Sequence, residues 1–443
     1  MTGSTLHKWR AMALVAVLAL IAAACGDGSN DASTTTGAPD TGATTTTAGD
    51  DGETTSTAGS AEGGDFVTVA VLAPLTGEIG EFGQIVSEAF EMGINEINAT
   101  GLNTCGEIRL QFGDTETNAE VAIREADQLI GSTENLVGFF GPSSGDMVAL
   151  VDTAHAEQLM LVSPYSGTTE LNELGGDFVY RTVASDLADG EAAAAFIIDQ
   201  GWTTAGVLAQ VAESPLSSAN VVRELLADAG IEVVADVEIV AGQSSYEAEL
   251  TEVLAANPEV IYMSVGIESG VTILREADSF GYEGSWMLSA DLVGQDTIDL
   301  TGPEIVEEKV FAEGAEADPD LPEYQRFAEL YEAEFGVEPK VFSPNAYDAA
   351  MLFGLAMMAA DECTGAGINA AFREVAGPPG TVVGSFEDGA NAILAGEDID
   401  YNGASGVLTF DETGTPPGSF AIFQVLNGTF ERVAFYPASF FDK

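Results

Sequence analysis

From residue 66 onward, short apolar runs alternate with stretches in which apolar residues recur every three or four positions. VTVAVLA (67–73), residues 107–112 and LVGFF (136–140) read as strands of the fully buried kind. Between them, Ile85, Ala89, Met92, Ile94 and Ile97 mark one face of a helix over 85–97, and a second helix covers 118–130. Met147, Leu150, Val151 and Ala154 repeat at helical spacing, and 179–183 leads into an alanine-rich helix. A second alternating run follows: 205–208, 218–229, 232–240, 246–256, 260–263, 270–280 and 286–288. Strand and helix in strict turn predict an α/β protein of parallel sheets covered by helices on both faces. The pattern is too long for one sheet, so two lobes are expected.

Two strand ends in the first run carry the candidate chemistry. LVGFF stops at Gly141-Pro142, and Ser143-Ser144 stand where the next helix must begin. The following strand ends at Ser163-Pro164 and leads into Tyr165-Ser166-Gly167-Thr168-Thr169. Neighbouring parallel strands thus deliver small hydroxyl residues to one sheet edge, beyond the carboxyl ends of the strands, where open α/β sheets bind ligands. A helix N-terminus with spare N–H groups favours an anion, so a carboxylate is the natural guest. The alternative is structural: Ser143 or Ser144 caps its helix.

The first 65 residues differ in kind. Lys8 and Arg10 precede an apolar run over 11–21 that is too short to span a bilayer. It ends Ala22-Ala23-Ala24-Cys25, which resembles the lipobox of bacterial lipoproteins. That resemblance implies a signal peptide over 1–24, cleavage before Cys25, lipidation of its thiol and an extracytoplasmic protein anchored to the cell membrane. Residues 26–65 are Thr, Gly, Ala, Ser and Asp with almost no large apolar side chain, a composition expected to form a disordered tether spanning roughly 35 Å.

The formal charge of −59, from 72 acidic against 13 basic residues, excludes nucleic acid and anionic lipid as partners, so the lipid is the only expected contact with the membrane. Outside the cytoplasm, Cys105 and Cys363 suggest a disulfide, and neither has CxxC spacing. His155 is the only histidine after the leader and has no Cys or His neighbour, so a zinc site or a Ser-His-Asp triad would rest on it alone. With no nucleophile–base pair in sight, no enzyme and no cofactor are expected. Gly77, Gly80 and Gly83 lack the GxG opening of a dinucleotide loop. Asp398, Asp400, Asn402 and Gly403 match the opening of a calcium loop, but its twelfth position is Thr409 rather than Glu, so no metal is expected there.

Taken in order, VAVLAPLTGEIGEFG (69–83), GPSSG (141–145), LVSPYSGTTEL (161–171), YRTVASD (180–186), NPEVIYMSVG (257–266), AYDAA (346–350) and GASGVLTFDETG (403–414) resemble the type 1 periplasmic binding proteins of ABC transporters, specifically the branched-chain amino-acid (Leu/Ile/Val) binding family. The resemblance implies two Rossmann-like lobes joined by three hinge crossings, near Ala184, Gly314 and Gly414. The N-lobe would comprise 66–184 with 315–414, and the C-lobe 185–314 with 415–443. It also implies a monomer that closes on an amino acid or related zwitterion or amide and delivers it to a membrane permease. Carried over residue by residue, Ser144 and Ser143 bind the ligand carboxylate. The segment Tyr165, Ser166, Gly167 and Thr168 serves both its carboxylate and its ammonium, Asp291 takes the ammonium, and Phe82 lines the pocket. Asp291 as a helix N-cap and Phe82 as plain core are the structural alternatives. The chain departs from the family pattern in three places. Tyr165-Ser166-Gly167-Thr168 stands where relatives have Ala-Thr after the proline, and the pocket aromatics of the C-lobe are missing at 212–218 and at 265–267. A sensor that presents its closed form to a signalling receptor is the alternative function.

Overall fold

The computed structural model describes residues 65–441. The leader, Cys25 and the tether up to residue 64 lie outside the described residues.

Two sheets organise the chain, each the centre of an α/β lobe. The N-lobe sheet is parallel throughout, in the order β2 (Glu107–Asp114), β1 (Phe66–Ala73), β3 (Leu136–Phe140), β4 (Met160–Ser163), β5 (Val179–Arg181). Its central strands are buried from Val67 to Ala73 and from Val137 to Phe140, because helices cover both faces and no polar side is needed. The C-lobe sheet begins in the same way, with β6 (Thr204–Gln210), β7 (Glu232–Ile239), β8 (Val260–Ser264), β9 (Ser285–Leu288) and β10 (Val310–Ala315) parallel.

Two features break the alternation that the sequence predicts. A small sheet of β11 (Thr381–Val383), β12 (Ile399–Gly403) and β13 (Gly406–Val407) stands apart from both large sheets. The C-lobe sheet is then extended by an antiparallel hairpin, β14 (Phe420–Leu426) and β15 (Thr429–Tyr436), laid against β10. Its two-residue turn is Asn427-Gly428, with φ of 55° and 77°, the left-handed pair that a tight hairpin of native twist requires.

The helix predicted over 118–130 runs Ala119–Ser132, with Asn118 as its cap accepting from the N–H groups of Glu120 and Val121. The one predicted over 218–229 starts earlier, as Glu213–Asp228; Pro215 is accommodated because first-turn N–H groups have no partner in the helix. Ser343–Ala359 is buried from Pro344 to Met358 except at Asn345. It lies so close to the Gly80–Thr100 helix that a Cβ at Gly93 would come within 2.7 Å of Ala350 Cβ. Phe90 of the Gly80–Thr100 helix stacks on Phe140 of β3 at 3.8 Å. A disulfide joins Cys105 to Cys363 across 258 residues of sequence, fastening the loop before β2 to the segment that follows this buried helix.

The chain passes between the sheets three times: after β5, after β10, and before β14. At the first passage Arg181, 1% exposed, donates to the carbonyls of Gly167 (2.7 Å) and Thr168 (2.9 Å), to Thr415 Oγ1 (2.8 Å) and to Asn172 Oδ1.

Candidate functional site

β3 ends at Phe140, and the turn at Gly141 (φ 94°) brings its Cα against Ala73, where a Cβ would meet the alanine methyl at 3.1 Å. The Ser144–Glu157 helix therefore opens directly over the strand ends. Ser143 is its N-cap, and its Oγ donates to Asp146 Oδ2 at 2.8 Å. The same carboxylate accepts from Thr115 Oγ1 at 2.8 Å, while burial pushes its pKa up. The hydroxyl of Ser143 is thus committed to the protein. Ser144, 5% exposed, meets only Ser166 Oγ at 3.3 Å, which leaves its hydroxyl room for a second hydrogen bond.

Ser163 organises the next turn: its Oγ donates to the carbonyl of Pro142 (2.8 Å) and accepts from the N–H of Ser166 (3.1 Å). Tyr165 ties its hydroxyl to the carbonyl of Gly141 at 2.8 Å and turns its ring toward Phe342. Gly167 is required, because a Cβ there would lie 1.8 Å from Asp186 Oδ1.

Facing these loops from the C-lobe, Asp291 sits in the short Ala290–Leu292 turn after β9, where Ser289, not Asp291, occupies the N-cap position. Ser143, Ser144, Tyr165 and Asp291 line one cavity of about 350 Å³ between the sheets. Asp291 also opens onto a hollow of about 330 Å³ that contains Phe82 and Lys340, and onto a chamber of about 40 Å³ that contains Gly167, Asp186 and Ser289. It makes no ion pair among the described residues. Burial first, then the charges of Asp189 and Glu78, push its carboxyl up to about 7. An ionised carboxylate in that position requires a cation.

The other expected site residues lie behind or beside the cavity. Phe82 packs edge-on against Phe342 at 6.0 Å in the neighbouring hollow. Ser166 is buried against Ser144. Thr168 reaches across the cleft, its Oγ1 donating to Glu213 Oε1 at 2.7 Å.

Among the cavity residues that the sequence did not single out are Glu78, Gln210 and Glu213. Gln210 Nε2 donates to Glu78 Oε2 at 2.9 Å, and Gln210 Oε1 accepts from the N–H of Gly266 at 3.0 Å. Glu78 lies so close to Gly266 that a Cβ there would be 2.6 Å from its Oε1. A carboxylate from the N-lobe thus occupies the neighbourhood of 265–267, where the family resemblance leads one to expect an aromatic. Gln210 and Glu213 lie at and just beyond the carboxyl end of β6, the kind of position that marked Ser143 and Ser144.

Two α/β lobes that meet over a cavity at their strand ends define a two-lobed solute-binding protein. The chain matches the sequence profile of the family described as Periplasmic binding protein over residues 67–429 and belongs to that family. Within it, the relatives are those of the type 1, branched-chain amino-acid group. The chain is 26% identical over 403 residues to the chemotactic signal transduction system substrate-binding protein BasB of Halobacterium salinarum, covering 85% of this chain and 91% of that one. It is 23% identical over 219 residues to Leu/Ile/Val-binding protein homolog 3 of Brucella melitensis, covering 49% of this chain; the match spans only 59% of that relative. The leucine-binding protein LivK of Thermotoga maritima has the same fold, with a TM-score of 0.73 and 24% identity over 84% of this chain and 99% of that one.

Proposed function

We propose that the protein is a lipid-anchored, extracytoplasmic solute-binding subunit of an ABC transporter that captures an amino acid or a related small zwitterion or amide by lobe closure. The observation that carries this reading is the placement of Ser144, at a helix N-terminus, and the unpaired Asp291 on opposite walls of one cavity. The N-terminus of the Ser144–Glu157 helix and the free bonding capacity of Ser144 suit a carboxylate. Asp291 suits an ammonium, and a ligand that lacks one leaves a buried carboxylate without a cation. The moving bodies are residues 66–184 with 315–414 and 185–314 with 415–443. A ligand that touches both favours the closed arrangement by its differential affinity for it. The relatives' names, Leu/Ile/Val-binding among them, support an amino-acid ligand.

The likeness to a chemotaxis substrate-binding protein over most of both chains favours a second reading, in which the closed form is presented to a signalling receptor. A thermal-shift screen of the purified protein against amino acids, amides and small carboxylates tests the shared core of both readings. A binding amino acid raises the melting temperature because it stabilises only the folded state. Stabilisation by simple carboxylates as strong as that by the matching amino acids would overturn the zwitterion reading.

A further inference from the structure

The charge of the cavity goes beyond what a neutral amino acid needs. Glu78, Asp146, Glu213 and Asp291 line it, and none of its lining residues is Lys, Arg or His. Asp146 is satisfied by Ser143 and Thr115, but the other three are not comparably supplied. Glu213 receives one hydroxyl, from Thr168, Glu78 receives one amide, from Gln210, and Asp291 receives neither. Both of those donors come from the lobe opposite their acid, so each of these hydrogen bonds crosses the cleft. A zwitterion with an apolar side chain brings no net charge. Its ammonium can answer Asp291, and Glu78 and Glu213 then face a hydrocarbon.

An independent observation points to a polar, donor-rich guest. The small chamber that opens beside Asp291 is lined by Ser289 and Asp186, 4% and 7% exposed, whose Oγ and Oδ2 have no hydrogen-bond partner among the described residues. Buried polar groups of this kind are normally satisfied, so they mark where something binds. We infer that the solute carries a second positively charged nitrogen besides its α-ammonium, that is, a basic amino acid of the lysine, ornithine or arginine type. One nitrogen is held at Asp291 beside the chamber and the other between Glu78 and Glu213. Burial and the neighbouring Glu268 hold the Glu78 carboxyl above its ordinary pKa, and a cationic guest relieves that strain.

This inference rests on the amino-acid reading above, and titration calorimetry of the intact protein with L-lysine, L-arginine, L-leucine and L-isoleucine separates the two. Lysine or arginine is expected to bind about tenfold or more tightly than leucine, the scale of one charge-assisted contact. Glu78→Gln is expected to cost lysine about ten times more affinity than it costs leucine. Leucine or isoleucine binding as well as the basic amino acids would overturn this inference and leave the amino-acid reading standing. So would equal losses for lysine and leucine in Glu78→Gln, since a merely structural Glu78 predicts them. Failure of all four would overturn this inference, while the amino-acid reading falls only if the wider thermal-shift screen also finds no amino acid that binds. The comparison of ligands on the unmodified protein decides the matter even if the variant does not fold.

Discussion

Replacing Asp291 with Asn should move stability and affinity in opposite directions. Its carboxyl is raised from the ordinary 3.8 to about 7, chiefly by burial. At 1.36 kcal/mol per pH unit, holding it ionised costs the folded protein at most about 4 kcal/mol, and less in practice because part of the residue meets solvent. The group binds more protons folded than unfolded between those two values, so its contribution to stability is present below pH 4 and declines as pH rises toward 7. Asp291→Asn removes that penalty, and the ligand-free variant should melt higher than the parent at pH 8 and lose the advantage at pH 4. The same change removes a charge-assisted contact to the ligand's ammonium, which is worth about 1.5–3 kcal/mol, or about tenfold to a hundredfold in affinity. The loss should be far smaller for the matching 2-hydroxy acid, which has no ammonium. In the parent, affinity for the amino acid should fall by up to about tenfold per pH unit below 7, because binding must then displace a proton from Asp291. Thermal denaturation at the two pH values and calorimetric titration with both ligands check these outcomes. A variant that melts lower at pH 8, or one that loses equal affinity for both ligands, would refute the assignment.

The two serines at the head of the Ser144–Glu157 helix should separate in their effects. Ser143→Ala, which strips Asp146 of a hydrogen bond and the helix of its cap, should lower stability by about 1 kcal/mol, read by denaturant titration. Ser144→Ala should leave stability nearly unchanged and weaken amino-acid binding by about tenfold, read by calorimetry; a reversal of the two patterns would exchange their roles. Reduction of the Cys105–Cys363 bond, which closes a loop of 258 residues, should cost about 2–5 kcal/mol and lower the melting temperature of the protein. Two free thiols found by titration of the denatured, unreduced protein would contradict the bond.

The parallel core was legible because strands such as 67–73 are apolar but for Thr68, a pattern that few other environments produce. The last hairpin was not. FAIFQVL is apolar but for Gln424, much like the parallel strands before it, so although Asn427-Gly428 is a strong turn signal the rhythm of the preceding residues argues for more parallel units. The start of the Glu213–Asp228 helix was hidden by Ser214, Pro215, Ser217 and Ser218, which resemble a loop in sequence. Within the site, Ser143, Ser144, Tyr165 and Asp291 lie at strand ends, and local pattern together with the family resemblance reaches them. Glu78 and Glu213 gain their meaning from partners 132 and 45 residues away in the other lobe, which no local pattern encodes. For the same reason Thr168, whose hydroxyl crosses to Glu213, could not be told in advance from a residue that faces the ligand.

Arg181 behaves as a rivet between the turn at 166–168 and the strap that leads into the last hairpin. Its guanidinium supplies donors in several fixed directions at once, to two carbonyls of the turn, to Thr415 on the strap and to Asn172. A lysine, with one compact ammonium, could not span them. Any tilt of that turn on meeting a guest is therefore carried straight to the strap, and the grip on the solute and the angle of the joint become a single mechanical coordinate.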